Sequence, residues 1–331
     1  MIISKTPFRI SFFGGGTDYP AWYEENGGAV LSTSIDKYCY ISLRYLPPFF
    51  EHRHRIVYSI TETVSSIDEI KHPVVKALLE LFEIERGIEL HHDGDLPARA
   101  GLGSSSAFTV GMLNALYALN GKIISKQDLA KEAIRVERDI LKENVGSQDQ
   151  IAVAHGGLNR IEFRPDHTFC AEAVTVGRQR ISELQEHLML VYTGLSRYAS
   201  EIAGDQIKNI KSNGHELGNM RHMVDQAVEI LNGGNDITEF GRLLHKAWQI
   251  KKRLSQKISN PKIDQVYETA MKSGALGGKL LGAGGGGFML FFVRPQDREN
   301  IRTALKDLLE VKFSFDTDGS KIIHYNPQEV I

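Results

Sequence analysis

The spacing of apolar residues changes as the chain advances. Four early runs, "IISKTPFRISFF", "AVLSTSI", "YCYISLRYL" and "RIVYSI", are rich in Ile, Val, Tyr and Phe and separated by Gly, Pro or Asn. They predict strands. "HPVVKALLELFEI" has helical spacing, and "GIELHHD" after it reads as a strand. From Ser104 onward, Val110, Leu113, Leu116 and Tyr117 recur at three and four residues and mark one buried helix face. "SKQD" at 125–128 is a capping-box pattern that opens a second helix, with the stripe Leu129, Ala133, Val136 and Ile140. "GLNRIEF" reads as another strand and "RPDH" as the turn after it.

Beyond residue 188 the balance shifts to helix. After the strand "HLMLVYT", helices are expected over 196–212, 220–231 and 237–254, the last two separated by the loop "NGGND". "PKIDQVYETAMKSG" supplies a fourth, and "GALGGKLLGAGGGGFMLFFV" leads to a further helix and a closing strand or two. Strands and helices mix without regular alternation, which predicts an α+β fold rather than a doubly wound one. A length of 331 residues suggests two domains. The boundary is expected near 180–188, giving parts of 1–182 and 183–331.

Composition narrows the function by exclusion. The net charge is −2 and the densest basic run is "HRHRI", too short for a phosphate-backbone track, so nucleic acid is not expected as a partner. Cys39 and Cys170 give neither a disulfide framework nor metal-site spacing. The N-terminus has no apolar signal core, and no run of 18 apolar residues occurs. A cytoplasmic protein without a membrane partner is expected.

Three glycine clusters carry the chemistry: "FFGGGTDYP" at 12–20, "GLGSSSA" at 101–107 and "GAGGGG" at 282–287. The P-loop pattern fails, because 274–280 has the wrong spacing and ends Gly-Lys-Leu. Gly282, Gly284 and Gly287 fit G-x-G-x-x-G literally, yet a strand-like "FMLFFV" follows where a dinucleotide site needs a helix. "GLGSSSA" does lead directly into a long helix. Such a start offers unpaired N–H groups and a positive dipole end to an anion, with one hydroxyl to cap the helix and the others free for phosphate oxygens or a metal. "GAGGGG" is either a bend or backbone lying under a ligand.

Two acids and one base stand out. Glu137 interrupts the row Ala130, Ile134, Leu141, where an unpaired charge is costly; a metal, an Arg or a boundary salt bridge would each account for it. Asp149 follows Ser147, a possible cap, and falls in the first turn of a short helix. Arg9, between Phe8 and Ile10, sits in the strand entering the first glycine cluster and is expected to point into structure.

Together these motifs resemble the GHMP kinases, end to end and in the family's order. "PARAGLGSSSA" at 97–107 looks like the ATP-phosphate loop, "PFRISFFGGGTDYP" at 7–20 like the substrate motif, and "KLLGAGGGGF" at 279–288 like the C-terminal glycine motif. The resemblance implies a two-domain fold, with a first half like ribosomal protein S5 domain 2 and a ferredoxin-like α/β plait after it. It implies ATP as co-substrate and Mg²⁺ as cofactor. Gly101, Leu102, Gly103, Ser104, Ser105 and Ser106 would hold the phosphates, and Ser105 with Glu137 the Mg²⁺. Asp149 would take or orient the acceptor hydroxyl's proton, and Arg9 would pair with it and stabilise charge in transfer. Gly15, Gly16, Thr17, Asp18, Gly284, Gly285 and Arg197 would meet the substrate.

The galactokinase version of the substrate motif reads Gly-Glu-His-Thr-Asp-Tyr, whereas this chain has Gly14-Gly15-Gly16-Thr17-Asp18-Tyr19. Losing Glu-His opens space for a bulkier or charged sugar substituent. With "YTGLSRYAS" at 192–200, the variant looks most like the family's D-glycero-D-manno-heptose 7-phosphate kinases. That implies an already phosphorylated sugar as partner, with Arg197, Lys37, Arg44 and Arg53 as candidate cations for its distal phosphate. A kinase of an unphosphorylated sugar, such as L-fucose, stays open. A non-catalytic sugar sensor is disfavoured by the intact Glu137, Asp149, Arg9 and serines.

Overall fold

The computed structural model describes residues 1–195, 199–234 and 236–327. The chain opens with β1 (Ile2–Phe13), α1 (Pro20–Asn26) and β2 (Gly28–Tyr45). Next come β3 (His54–Val57), β4 (Thr61–Val64), α2 (Pro73–Leu81), β5 (Ile88–Gly94) and α3 (Ser104–Leu119). Then follow α4 (Lys126–Ile134), α5 (Gln148–His155), β6 (Leu158–Phe163) and β7 (Phe169–Ala173). The later part runs α6 (Arg178–His187), β8 (Leu188–Tyr192), α7 (Ala199–Lys208), α8 (Gly214–Asn232), α9 (Thr238–Arg253) and α10 (Pro261–Lys272). It closes with β9 (Ala275–Leu280), β10 (Phe288–Val293), α11 (Arg298–Ala304), β11 (Leu309–Val311), β12 (Phe315–Asp316) and β13 (Lys321–Tyr325).

Among the described residues these strands form two sheets. The first has nine strands, ordered β13-β1-β2-β5-β3-β4, with β12, β6 and β7 joined through β2. The second is antiparallel and ordered β11-β8-β10-β9. The chain crosses between them in α6, which spans the expected boundary at 182, and β12 and β13 return to the first sheet.

Two sequence expectations change. "AVLSTSI" and "YCYISLRYL" are one strand, β2, because the polar Asp36-Lys37 step is a bulge rather than a turn: Phe8 faces Ile35 while Pro7 faces Tyr38. Its first part pairs with β6 and its last with β5, so one long strand serves two arms of the sheet. The helix after "SKQD" keeps its Ser125 cap but ends in a π-helical turn, Arg135–Ile140, in which the Leu141 N–H donates to Val136 O. The extra residue turns Val136 and Glu137 inward together and rotates Ile140 out of the predicted stripe, leaving it 38% exposed. Smaller differences are that α8 starts at Gly214 rather than 220, and that α6 was not anticipated.

Burial along β1 explains how the halves join. Its first residues alternate, whereas its last eight are buried on both faces, because α3 covers one side while α8 and α9 come from the second half. Phe240 of α9 is the hinge of this contact. Its ring lies edge-on to Phe12 and Phe13 at 5.4 and 5.1 Å, and 6.0 Å from Phe292 of β10. Phe240→Ala is expected to cost about 3–5 kcal/mol in urea unfolding, since the ring is fully buried and its neighbours belong to both sheets. A loss below about 1 kcal/mol would mean that the halves are not held by this cluster.

Candidate active site

The three glycine clusters meet around Arg9. Its guanidinium is 3% exposed and grips Asp149 with two bonds, Nε to Oδ1 at 2.8 Å and Nη2 to Oδ2 at 2.7 Å. Nη1 donates to the Gly101 carbonyl at 2.7 Å, and the Arg9 backbone N–H donates to Leu102 O at 2.9 Å. One residue of β1 therefore holds both the phosphate-type loop and the acid. Gly103 closes on the pair: a Cβ there would stand 3.1 Å from Arg9 Cγ and 3.6 Å from Asp149 Oδ2.

Gly103 is also the left-handed residue (φ 74°) that starts α3. No side chain caps this helix, contrary to the expected serine cap. Ser104 Oγ instead accepts from the Arg99 N–H, Ser105 is exposed, and Ser106 turns inward. The helix thus presents an uncapped positive end beside the Asp149 carboxylate.

Glu137 is fully buried on the π-helical turn. Oε2 accepts from Ser106 Oγ at 3.0 Å and from Gln150 Nε2, while Oε1 has no partner. Ser105 and Glu137 are therefore not brought together; the hydroxyl on the acid is that of the next serine. Burial pushes the Glu137 carboxyl up to about 7, opposed by Thr109 and Gln150, with the Glu143 carboxylate adding to the rise and Ser106 opposing it. A buried acid with an orphaned oxygen is a fit place for a cation. No group of three or more His, Cys, Asp or Glu among the described residues could hold one alone. One carboxylate plus a hydroxyl suits Mg²⁺, which keeps waters and borrows phosphate oxygens.

The substrate-type loop is shaped by internal bonds. Thr17 is fully buried, its hydroxyl donating to Gly14 O and Ala29 O at 2.8 and 2.9 Å, so it closes the loop rather than facing a ligand. Asp18 accepts from the Gly16 N–H at 2.9 Å and the Gln148 N–H at 3.4 Å, and so does the work at the start of α5 expected of Ser147. Burial raises the Asp18 carboxyl, the Gly16 N–H opposes this, and the nearby Asp149 charge raises it further. A Cβ on Gly15 would meet Ser11 Oγ at an ordinary contact distance of 3.7 Å, so this glycine is not required by crowding.

The C-terminal cluster is chiefly a backbone seat. A Cβ on Gly282 would fall 2.5 Å from Gly101 Cα, and one on Gly287 2.3 Å from Ala100 O. The cluster thus packs main chain on main chain under the phosphate-type loop. Gly284 abuts Ile258, and the Gly285 N–H donates to Ile258 O at 2.9 Å, so both are engaged within the protein. Of the candidate distal cations, Lys37 pairs with Asp36 and Arg44 with Glu89, while Arg197 lies outside the described residues.

Several residues of the site were not read from the sequence. Gln148 accepts from Ser11 Oγ at 2.7 Å and donates to Asp149 at 3.0 Å, and Gln150 donates to Glu137, so the residues on either side of Asp149 in α5 each hold one of the two acids. Lys251 and Lys279 are buried, Lys251 within reach of the charges of Arg9, Asp18 and Asp149 and Lys279 within reach of those of Arg9 and Asp18. Lys251 follows Phe240, Leu244 and Trp248 in the buried row of α9, the same interruption that drew notice to Glu137.

Comparison with known proteins agrees with this geometry. Residues 69–157 match the family described as GHMP kinases N terminal domain, and residues 223–311 the one described as GHMP kinases C terminal. A D-glycero-alpha-D-manno-heptose 7-phosphate kinase of Campylobacter jejuni is 29% identical over 97% of this chain and 98% of its own. A galactokinase of Pyrococcus furiosus is 28% identical over 95% of each. The crystal structure of a D-glycero-D-manno-heptose 1-phosphate kinase from Bacteroides thetaiotaomicron superposes with a TM-score of 0.80, at 23% identity over 98% of this chain and 99% of that one. The chain belongs to the GHMP kinase family, and its α+β fold in two parts is that family's fold. No helix of the described residues is long and apolar enough to cross a membrane.

Glu137 makes stability depend on pH. Its folded carboxyl titrates near 7 and an ordinary one near 4.5, so the group's contribution to stability is present below pH 4.5 and lost as pH rises through 7. Without metal the loss at pH 8 is about 3 kcal/mol. Glu137→Gln is expected to melt above wild type at pH 8 in EDTA, with the gap narrowing at pH 5, and to lose Mg²⁺-dependent turnover. Identical melting at both pH values would show that burial does not work against this charge.

Proposed function

We propose that the protein is an ATP- and Mg²⁺-dependent sugar kinase, cytoplasmic, acting on the anomeric hydroxyl of D-glycero-D-manno-heptose 7-phosphate. The product is the 1,7-bisphosphate, on the route to GDP-heptose and surface polysaccharide. The reading takes the substrates to meet between an N-terminal domain, 1–182, and a C-terminal one, 183–331. The observation that carries it is the Arg9–Asp149 pair held against Gly103, at the uncapped start of α3. The sugar class is supported by the C. jejuni relative, alike over nearly its whole length.

The residues divide the work as phosphoryl transfer requires, through positioning and charge neutralisation. The 101–106 loop and the first N–H groups of α3 hold the nucleotide's phosphates. Glu137, with the Ser106 hydroxyl bonded to it, would hold Mg²⁺, which when bound offsets charge on the phosphate oxygens. The sugar hydroxyl oxygen forms the new bond to the γ-phosphorus as the bond to ADP breaks. Its proton passes to Asp149, whose side chain is 29% exposed and so reachable. Arg9 holds that carboxylate in one orientation with two bonds and stays beside the transferring charge.

The test is ADP release with Mg²⁺-ATP, comparing D-glycero-D-manno-heptose 7-phosphate with D-mannose, L-fucose and D-galactose. The expected kcat/KM favours the phosphorylated heptose by about 100-fold or more, the scale a site gains by pairing its own charges with a substrate group. Equal or better use of a neutral hexose would overturn the heptose assignment and leave a kinase of another sugar.

A further inference from the structure

Two lysines lie inside the protein where the halves meet, and the transfer chemistry above uses neither. Lys279 of β9 is 3% exposed, and its ammonium donates to Ser11 O and Phe12 O, both at 2.9 Å, at the end of β1. Lys251 of α9 is 6% exposed and donates to Leu280 O at 3.2 Å and to Gly282 O. These acceptors are all backbone carbonyls. A buried ammonium bonded only to neutral oxygens is expensive unless nearby charge compensates it. Three cations, Arg9, Lys251 and Lys279, share this interior with two carboxylates, Asp18 and Asp149. Burial, and after it the Arg9 charge, lower Lys251 to about 8 against the pull of Asp18 and Asp149. Burial, Lys251 and Arg9 push Lys279 well down against the pull of Asp18.

What Lys251 holds is specific. Gly282 lies so close to Gly101 that a Cβ on it would fall 2.5 Å from Gly101 Cα, and Gly101 O is the acceptor that Arg9 holds while gripping Asp149. A line of contacts thus runs from the Lys251 ammonium through the 280–282 turn to the phosphate loop. We propose that Lys251 is a positioning residue for the nucleotide. Its ammonium fixes the turn that seats the phosphate loop, and its charge draws the nucleotide's phosphates to that loop. Lys279 has a different duty, anchoring the strand that leads into the substrate loop. The proposal rests on the kinase reading, and its test separates the two.

Mg²⁺-ADP binding to wild type, measured by calorimetry, is the control, and its absence would sink the kinase reading itself. Lys251→Met keeps the stem and removes the charge. It is expected to weaken Mg²⁺-ADP by about tenfold or more and lower kcat, with the sugar KM within about threefold of wild type. Lys251→Arg, which keeps charge and donors, is expected to hold ADP affinity within about threefold. A folded Lys251→Met that binds Mg²⁺-ADP as wild type does would overturn the proposal. So would parallel losses of sugar KM, ADP affinity and melting temperature, which mark a merely structural lysine. If Lys251→Met does not fold, Lys251→Gln against Lys251→Arg decides by the same readout, and equal affinities overturn it.

Discussion

The site depends on one guanidinium. Arg9 gives two donors to Asp149, one to Gly101 O and its backbone N–H to Leu102 O, all at 2.7–2.9 Å. An ion pair whose cation is this buried is weak evidence of stability by itself, since taking charge out of water costs several kcal/mol. Its value here is geometric. The fork of an Arg fixes the plane of the carboxylate and, through the same group, the height of the loop beside it. The acid and the glycine-serine loop come from segments far apart in sequence, and Arg9 sets the distance between them.

The second half of the chain contributes to that site through backbone, charge and core. Its glycine cluster touches Ala100 and Gly101 through main-chain atoms, a contact that any side chain would prevent. Its lysines bond to carbonyls on both sides of the junction, and Phe240 fills the core between the two sheets. Strand β12 then returns to pair with β2 and β13 with β1, closing the ends of the chain onto one sheet. Loop seat, charge and core are thus one construction.

How much of this was legible in the sequence follows from the kind of force involved. Local signals held well. The apolar period of α3, the Ser125 cap and the glycine turn into Ser104 each depend on a few adjacent residues. Glu137 was visible because a charge broke an apolar row, and Lys251 would have been visible by the same test. Features set by neighbours in space were hidden. Nothing local in "VERDIL" announces a π-helical turn, so Ile140 was assigned to the wrong face. Asp36-Lys37 reads as a break until β1 is seen to run past it. The serines could be recognised as a set, but which hydroxyl meets Glu137 depends on the rotation of α3, and the structure selects Ser106 over Ser105. The family resemblance implied Thr17 as a ligand contact, whereas its hydroxyl is satisfied across the loop.

The central claim is that Asp149 acts on the acceptor hydroxyl while Arg9 and the loop hold the nucleotide. Asp149→Asn tests it most directly, with turnover and Mg²⁺-ADP affinity measured on the same preparation. The account predicts a fall in kcat of about a thousandfold, in the range for removing a proton acceptor, with ADP affinity within about threefold of wild type. Turnover close to wild type would contradict the assignment. So would equal losses in turnover and nucleotide binding, which would make Asp149 a partner of Arg9 in shaping the loop and nothing more.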